Sequence, residues 1–282
     1  MKEDGVVYTV SADFVASLEQ LLQGGPLKTP RDYWRVAGSL LWVAVVLMLP
    51  LSLHSWIVTE LQQIARWVHD QQGKWDQEVE VKFLPSDYQA RCRQWLIEVE
   101  PRRWRKGPAD PQTGDEAVVV SDSSDDQGAY MCHWLMESGA VGAVGDQWFW
   151  TKPESHIFFK ELGAALRGMW AIREVLGDGE LRRRGWKVFT DNTAVRGCLS
   201  NLYSRSQLGN NLVMPLAKAV SRGEVPRPVV KWVSTDDNIV DRFTRGDAMV
   251  KPGEIQLASP TEQEWLRSHN CWDQHQDDAS MQ

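Results

Sequence analysis

Two short apolar runs end in an aspartate: Ala117-Val-Val-Val-Ser-Asp122 and Trp186-Lys-Val-Phe-Thr-Asp191. Each reads as a buried strand, and in α/β sheets sites form beyond the carboxyl ends of strands. Two carboxylates meeting there would repel, and each would have its pKa raised. A divalent cation removes that cost. Mg²⁺ suits such a place because it is hard, prefers oxygen and keeps several waters, and Mn²⁺ is its substitute. Two ions about 4 Å apart can activate a water and stabilise the leaving oxygen of a phosphodiester. Glu161, on a largely apolar helix, and Asp241, near the start of the last helix, are the further candidate ligands. Taken singly, each acid has an ordinary reading. Asp122 closes a strand in a turn, Asp191 stands ahead of a helix cap, Glu161 lies on a solvated face and Asp241 sits at a helix terminus.

The elements that must position these residues change character along the chain. Residues 6–105 read as mostly helical. Phe14, Leu18, Leu21 and Leu22 share one helix face, and Gly24-Gly25-Pro26 breaks it. Thr29-Pro30 opens a second helix running through Leu49. Leu53–His69 and Ser86–Val99 are further helices, and Val79–Phe83 is a weak strand. Residues 106–116 read as a linker by composition. Beyond it come strands at Ala117–Asp122, Ala129–Leu135 and Ala143–Trp150, then a helix at about Ile157–Val175. The strand Trp186–Asp191 follows, then short helices at about Thr193–Leu202 and Gln207–Ser221. The strand Pro228–Val233 and a last helix from Asn238 complete the domain, and residues 251–282 read as a C-terminal tail. The expected fold is α/β: a mixed five-stranded sheet with flanking helices over 117–250, preceded by the mostly helical region 1–105.

Four segments carry a resemblance in their order: Val118-Val-Val-Ser-Asp-Ser-Ser, His156-Ile-Phe-Phe-Lys-Glu-Leu, Val188-Phe-Thr-Asp-Asn, and Val233-Ser-Thr-Asp-Asp-Asn-Ile-Val-Asp-Arg-Phe-Thr-Arg. Together they resemble the ribonuclease H domain of retroelement reverse transcriptases, most like DIRS-type elements, over Ala117 to Arg245. The resemblance implies a ribonuclease H-like sheet and two Mg²⁺ or Mn²⁺ ions held by Asp122, Glu161, Asp191 and Asp241. Asp122 and Asp191 would be the principal ligands, with Glu161 serving the second ion and Asp241 completing the first. It implies cleavage of the RNA strand of RNA–DNA hybrids, with RNA told from DNA through its 2′-hydroxyls. Thr29-Pro-Arg-Asp-Tyr-Trp-Arg-Val-Ala-Gly-Ser-Leu-Leu-Trp resembles the thumb or connection segment that precedes ribonuclease H in such polyproteins. No Tyr-x-Asp-Asp motif is present, so the palm and fingers of a reverse transcriptase would be a partner. The sequence departs from the family pattern in three places. Ser123-Ser124-Asp125-Asp126 follows the first acid where an early glycine is usual. Asp236 and Asp237 crowd Asp241. No histidine lies between Asp191 and Asp241.

The net charge of −7 excludes a chain that coats nucleic acid along its whole surface. Local basic and aromatic segments at Arg102–Lys106, Arg182–Lys187 and Lys231-Trp232 are the candidate phosphate and sugar contacts. Cys92, Cys132, Cys198 and Cys271 lack CxxC spacing and fit reduced thiols of an intracellular protein. A zinc site at His269, Cys271 and His275 has three ligands in a polar tail and is disfavoured. Ala37–Val58 lacks charge, but its strongly apolar part is about 12 residues, a length of buried helices and not of membrane spans. Two other functions remain open at this level. One is a catalytically inactive ribonuclease H-like nucleic-acid-binding or scaffold protein, and the other is a protein anchored to a membrane through Ala37–Val58.

Overall fold

The structure is a computed structural model. It describes residues 7–47, 49–78, 87–99, 104–106, 115–152, 155–246 and 253–272. The chain divides into two compact units, Met1–Ala109 and Asp110–Gln282.

The first unit is built from α1 (Ala12–Gln23), α2 (Pro30–Val46), α3 (Ser55–Asp70) and α4 (Tyr88–Val99). Helix α2 starts where the sequence provides both signals. Thr29 and Asp32 form a reciprocal capping box, and Pro30 occupies the first turn. The helix ends at Val46, short of the expected Leu49, and Leu51–His54 forms a 3₁₀ turn before α3. Its apolar stripe of Val36, Ala37, Leu40, Val43 and Ala44 is buried against Leu18, Leu22, Ile57, Ile64, Cys92 and Leu96. This is the core-helix outcome for the uncharged stretch. Among the described residues no helix is long and apolar enough to cross a membrane. The unit is not wholly helical. Strands β1 (Val7–Thr9) and β2 (Trp104–Lys106) pair antiparallel, Tyr8 opposite Arg105. Three-residue strands show no periodicity, so the sequence gave no sign of them. The strand expected at Val79–Phe83 lies outside the described residues, as do 107–114 of the expected linker.

The second unit is a six-stranded sheet in the order β7-β6-β3-β4-β5-β8. Strands β3 (Ala117–Ser123), β4 (Gln127–Leu135) and β5 (Val141–Phe149) form an antiparallel meander. Strands β6 (Trp186–Thr190) and β7 (Val229–Trp232) run parallel to β3. Strand β3 is buried along its whole length, which its Val-Val-Val run demands of a central strand. One face is covered by α5 (Ile157–Arg184), which breaks at Gly177, where φ is 75°. At Gly168 the helix lies so close to the sheet that a Cβ would sit 2.7 Å from Val119 Cγ1. Helices α6 (Thr193–Asn201) and α7 (Gln207–Ser221) follow β6.

The opposite face is covered by α8 (Asp241–Thr244) and α9 (Pro260–Ser268), which bury Val118, Val120, Met131, Phe189, Phe243, Trp265 and Leu266 together. The expectation of a tail after residue 250 is therefore corrected for 256–272. Gln256–Leu257 form the edge strand β8 beside β5, and α9 packs into the core. A two-residue strand and a helix with only Trp265 and Leu266 as large apolar residues leave too little pattern to read.

Candidate metal centre

Three of the four predicted acids meet at the carboxyl ends of β3 and β6. Asp122 is the penultimate residue of β3, Asp191 follows the last residue of β6, and Glu161 lies in the second turn of α5. One ligand atom from each lies within 4.8 Å of the others. Asp122 and Glu161 are 5% and 6% exposed, so water cannot screen their charges. Burial, and then the neighbouring Asp122 and Asp191, push Glu161 up to about 9. Asp122 rises to about 6, through burial opposed by the Thr244 hydroxyl and reinforced by Asp191 and Asp241. Glu161 Oε2 and Asp191 Oδ1 are buried with no hydrogen-bond partner in the protein. Buried polar atoms are nearly always satisfied. Two orphan carboxylate oxygens in a cluster of three acids therefore fit a bound divalent cation, and all the donors are the hard oxygens such an ion prefers.

The fourth acid is placed differently. Asp241 is the first residue of α8, and its charge reaches Asp122. It is not one of the close-set three, and its Oδ2 is 2.6 Å from Arg245 Nε. Four residues along a helix is one turn, which brings the pair together. Arg242 lies 3.5 Å from Glu262 of α9. Asp125, Asp126, Asp236 and Asp237 are all exposed. Asn238 does not cap α8. It is buried, and its Nδ2 donates to the Ser121 carbonyl at 3.1 Å, stitching the segment after β7 to β3.

Several residues around the acids escaped sequence reading. Thr235 Oγ1 donates to Asp191 Oδ2 at 2.8 Å, and Trp232 Nε1 donates to the Asp191 carbonyl at 3.0 Å. The Thr244 hydroxyl bonds Asp122 Oδ2. Lys160, 2% exposed, donates to the Asp125 carbonyl at 2.6 Å and ties the β3–β4 turn to α5. The only signal for Thr235 and Thr244 was their place in the last motif. His156 caps α5 by accepting from Phe158 N–H.

The cations of the basic run Arg182–Lys187 are engaged within the chain. Arg182 donates to the Gly223 and Glu224 carbonyls, and Arg183 and Arg184 pair with Glu180. Lys187 pairs with Glu116. This run enters β6 at its amino end, whereas the acids stand at its carboxyl end. Side chains of Arg102–Lys106 lie outside the described residues. Lys231 and Trp232 are exposed, and Trp232 lies beside Asp191. Cys271 is buried in the core and His269 stacks on Trp265. Among the described residues, the group able to hold a metal is Asp122, Glu161 and Asp191. His275 lies outside them.

A meander of three antiparallel strands, a crossover helix and two further strands parallel to the first, with acids at the shared strand ends, defines a ribonuclease H-like fold bearing a metal-binding type of acidic cluster. No family model and no curated protein matches the chain. Solved structures do. Ribonuclease H1 from the halophilic archaeon Halobacterium salinarum is 14% identical, covering 48% of this chain and 98% of its own, with a TM-score of 0.34. LC11-RNase H1 in complex with an RNA/DNA hybrid is 12% identical, covering 46% and 93%, with a TM-score of 0.36. A foamy viral protease-reverse transcriptase in complex with an RNA/DNA hybrid is 12% identical over 80% of this chain and 27% of its own, with a TM-score of 0.29.

Proposed function

We propose that the chain is a metal-dependent endonuclease that hydrolyses the RNA strand of RNA–DNA hybrids, as the C-terminal part of a retroelement reverse transcriptase. The observation that carries this reading is the convergence of Asp122, Glu161 and Asp191 with two buried carboxylate oxygens left unpaired. Asp122 and Asp191 would hold Mg²⁺ or Mn²⁺ between them, with Glu161 on the side of a second ion. Asp241 would complete the first set once its carboxylate parts from Arg245. Divalent cations held there supply Lewis acidity towards a phosphodiester and offset the charge of the acids.

The chain's own residues then have distinct work. The β3 and β6 ends fix the two aspartates, and Lys160 fixes the adjoining turn. Trp232 offers an aromatic face beside Asp191, and the exposed Lys231 of the same strand a cation, for the backbone of a bound strand. The ordered motifs of the sequence support a retroelement origin of DIRS type. The helical unit would correspond to residues 1–105, the thumb or connection, and would meet the palm and fingers in the longer protein.

The test is cleavage of an end-labelled RNA–DNA hybrid with Mg²⁺ or Mn²⁺ beside Asp191→Asn. Cleavage by the wild type alone is expected. A wild type that binds the hybrid and never cuts it, or a variant that cuts equally well, would overturn the proposal.

A further inference from the structure

Both aspartates of the cluster accept a threonine hydroxyl, and the Asp122 carboxylate also accepts the Ser123 backbone N–H. Asp191 accepts the Thr235 hydroxyl on Oδ2, while its Oδ1 is buried and unpaired. Asp122 accepts the Thr244 hydroxyl on its own Oδ2. Both threonines belong to the segment after β7. Thr235 lies in a 3₁₀ turn and Thr244 ends α8. That segment is itself pinned. Asn238 donates to the Ser121 carbonyl, and Trp265 Nε1 donates to the Asp237 carbonyl at 2.6 Å. Each hydroxyl therefore reaches its carboxylate from a fixed backbone and occupies one of its two oxygens.

We infer that Thr235 and Thr244 are positioning residues that each engage one carboxylate oxygen, of Asp191 and Asp122 respectively, and that they thereby select Mg²⁺ or Mn²⁺ over Ca²⁺. The inference rests on the metal reading above and adds a determinant of which ion is taken. Ca²⁺ accepts six to eight oxygens and readily takes both oxygens of a carboxylate, whereas Mg²⁺ demands a small six-oxygen set and keeps waters in it. A carboxylate whose second oxygen accepts a hydroxyl can offer both only by sharing that oxygen between the hydroxyl and the ion, which weakens a strong hydrogen bond to a charged group. The cost falls on the larger ion alone. Removing the hydroxyl removes the bias while every acid stays in place.

The experiment uses the full chain, stripped with a chelator and titrated calorimetrically with MgCl₂, MnCl₂ and CaCl₂. Thr235→Val and Thr244→Val are compared with Thr235→Ser and Thr244→Ser, which keep the hydroxyl. In each valine variant the Ca²⁺-to-Mg²⁺ affinity ratio rises by about tenfold, the scale of one hydrogen bond to a charged group, and in the serine variants it stays at the wild-type value. An unchanged ratio in the valine variants, with Mg²⁺ still bound, overturns the role of the threonines and leaves the metal site standing. An equal rise in the serine variants overturns it too. A wild type that binds none of the three ions removes the metal site, and this inference with it. Thr235 is exposed, so Thr235→Val decides the matter even where the buried Thr244→Val fails to fold.

Discussion

Replacing Glu161 with glutamine should stabilise the metal-free protein, an unusual outcome for a change at a buried position. Glu161 carries a pKa of about 9 in the fold against an ordinary 4.5. An acid whose folded pKa is raised contributes full stability below its unfolded pKa and loses it as pH rises towards the folded value. At pH 7 the unfolded chain ionises this side chain and the folded chain keeps it neutral, a bias of about 3 kcal/mol against folding at 1.36 kcal/mol per unit. Glutamine has no such bias, and its amide can donate to the crowded oxygens of Asp122 or Asp191. A gain on the order of 1–3 kcal/mol is expected, or roughly 3–10 °C in Tm for a unit of this size. The assay is thermal unfolding in EDTA at pH 4.5 and pH 7. The gain should be present at pH 7 and nearly absent at pH 4.5. Saturating Mg²⁺ should reverse the order, because the wild type gains about 2.7 kcal/mol at a hundredfold excess over Kd and the variant gains less. A variant less stable than the wild type in EDTA at pH 7 would refute the reasoning that repulsion and burial, and not a structural bond, dominate at Glu161.

Other substitutions test separate parts of the structure. Gly168→Ala should cost on the order of 1–2 kcal/mol, overpacking against Val119 and Tyr130 outweighing the helix propensity gained. Gly179→Ala, which meets open space, should be neutral or stabilising in the same denaturation experiment. Glu60 is buried in the helical unit with a pKa of about 7 despite Arg91 at 3.5 Å. The wild type should therefore lose up to about 3 kcal/mol between pH 4.5 and pH 8, and Glu60→Gln should flatten that slope in urea titrations. Asp241→Asn should abolish hybrid cleavage while Asp236→Asn and Asp237→Asn retain most of it. A dead Asp237→Asn beside an active Asp241→Asn would show that the wrong acid had been matched to the last motif.

The strands of the second unit were legible because burial on both faces leaves a continuous β-branched run, as in Val118-Val119-Val120. Asp122, Glu161 and Asp191 were legible as a set because two of them close such runs. What the sequence hid was mostly a matter of competition among charges. Arg182, Arg183, Arg184 and Lys187 look like an anion surface, yet local acids and carbonyls take them first. Arg245 likewise pairs with Asp241 one helical turn away. The threonine contacts to the two aspartates join positions 44 and 122 residues apart, a separation at which no local pattern exists. The β8–α9 extension was missed because its backbone pairing is brief and its apolar anchors are few.

The crossover from β3 to β6 also bears on when the site comes into being during synthesis. Asp122 leaves the ribosome early, but its neighbour Asp191 follows only after the whole of α5, and the Thr244 hydroxyl that steadies Asp122 comes later still. Trp265, which pins the turn carrying Thr235, is among the last residues of the unit to emerge. Domains fold as units as they appear, so a nascent chain halted before α9 has its acids but not the scaffold that aims them. Its affinity for divalent ions should be that of scattered carboxylates. Cation capture by this cluster, on the metal reading proposed above, would therefore wait until α9 has docked.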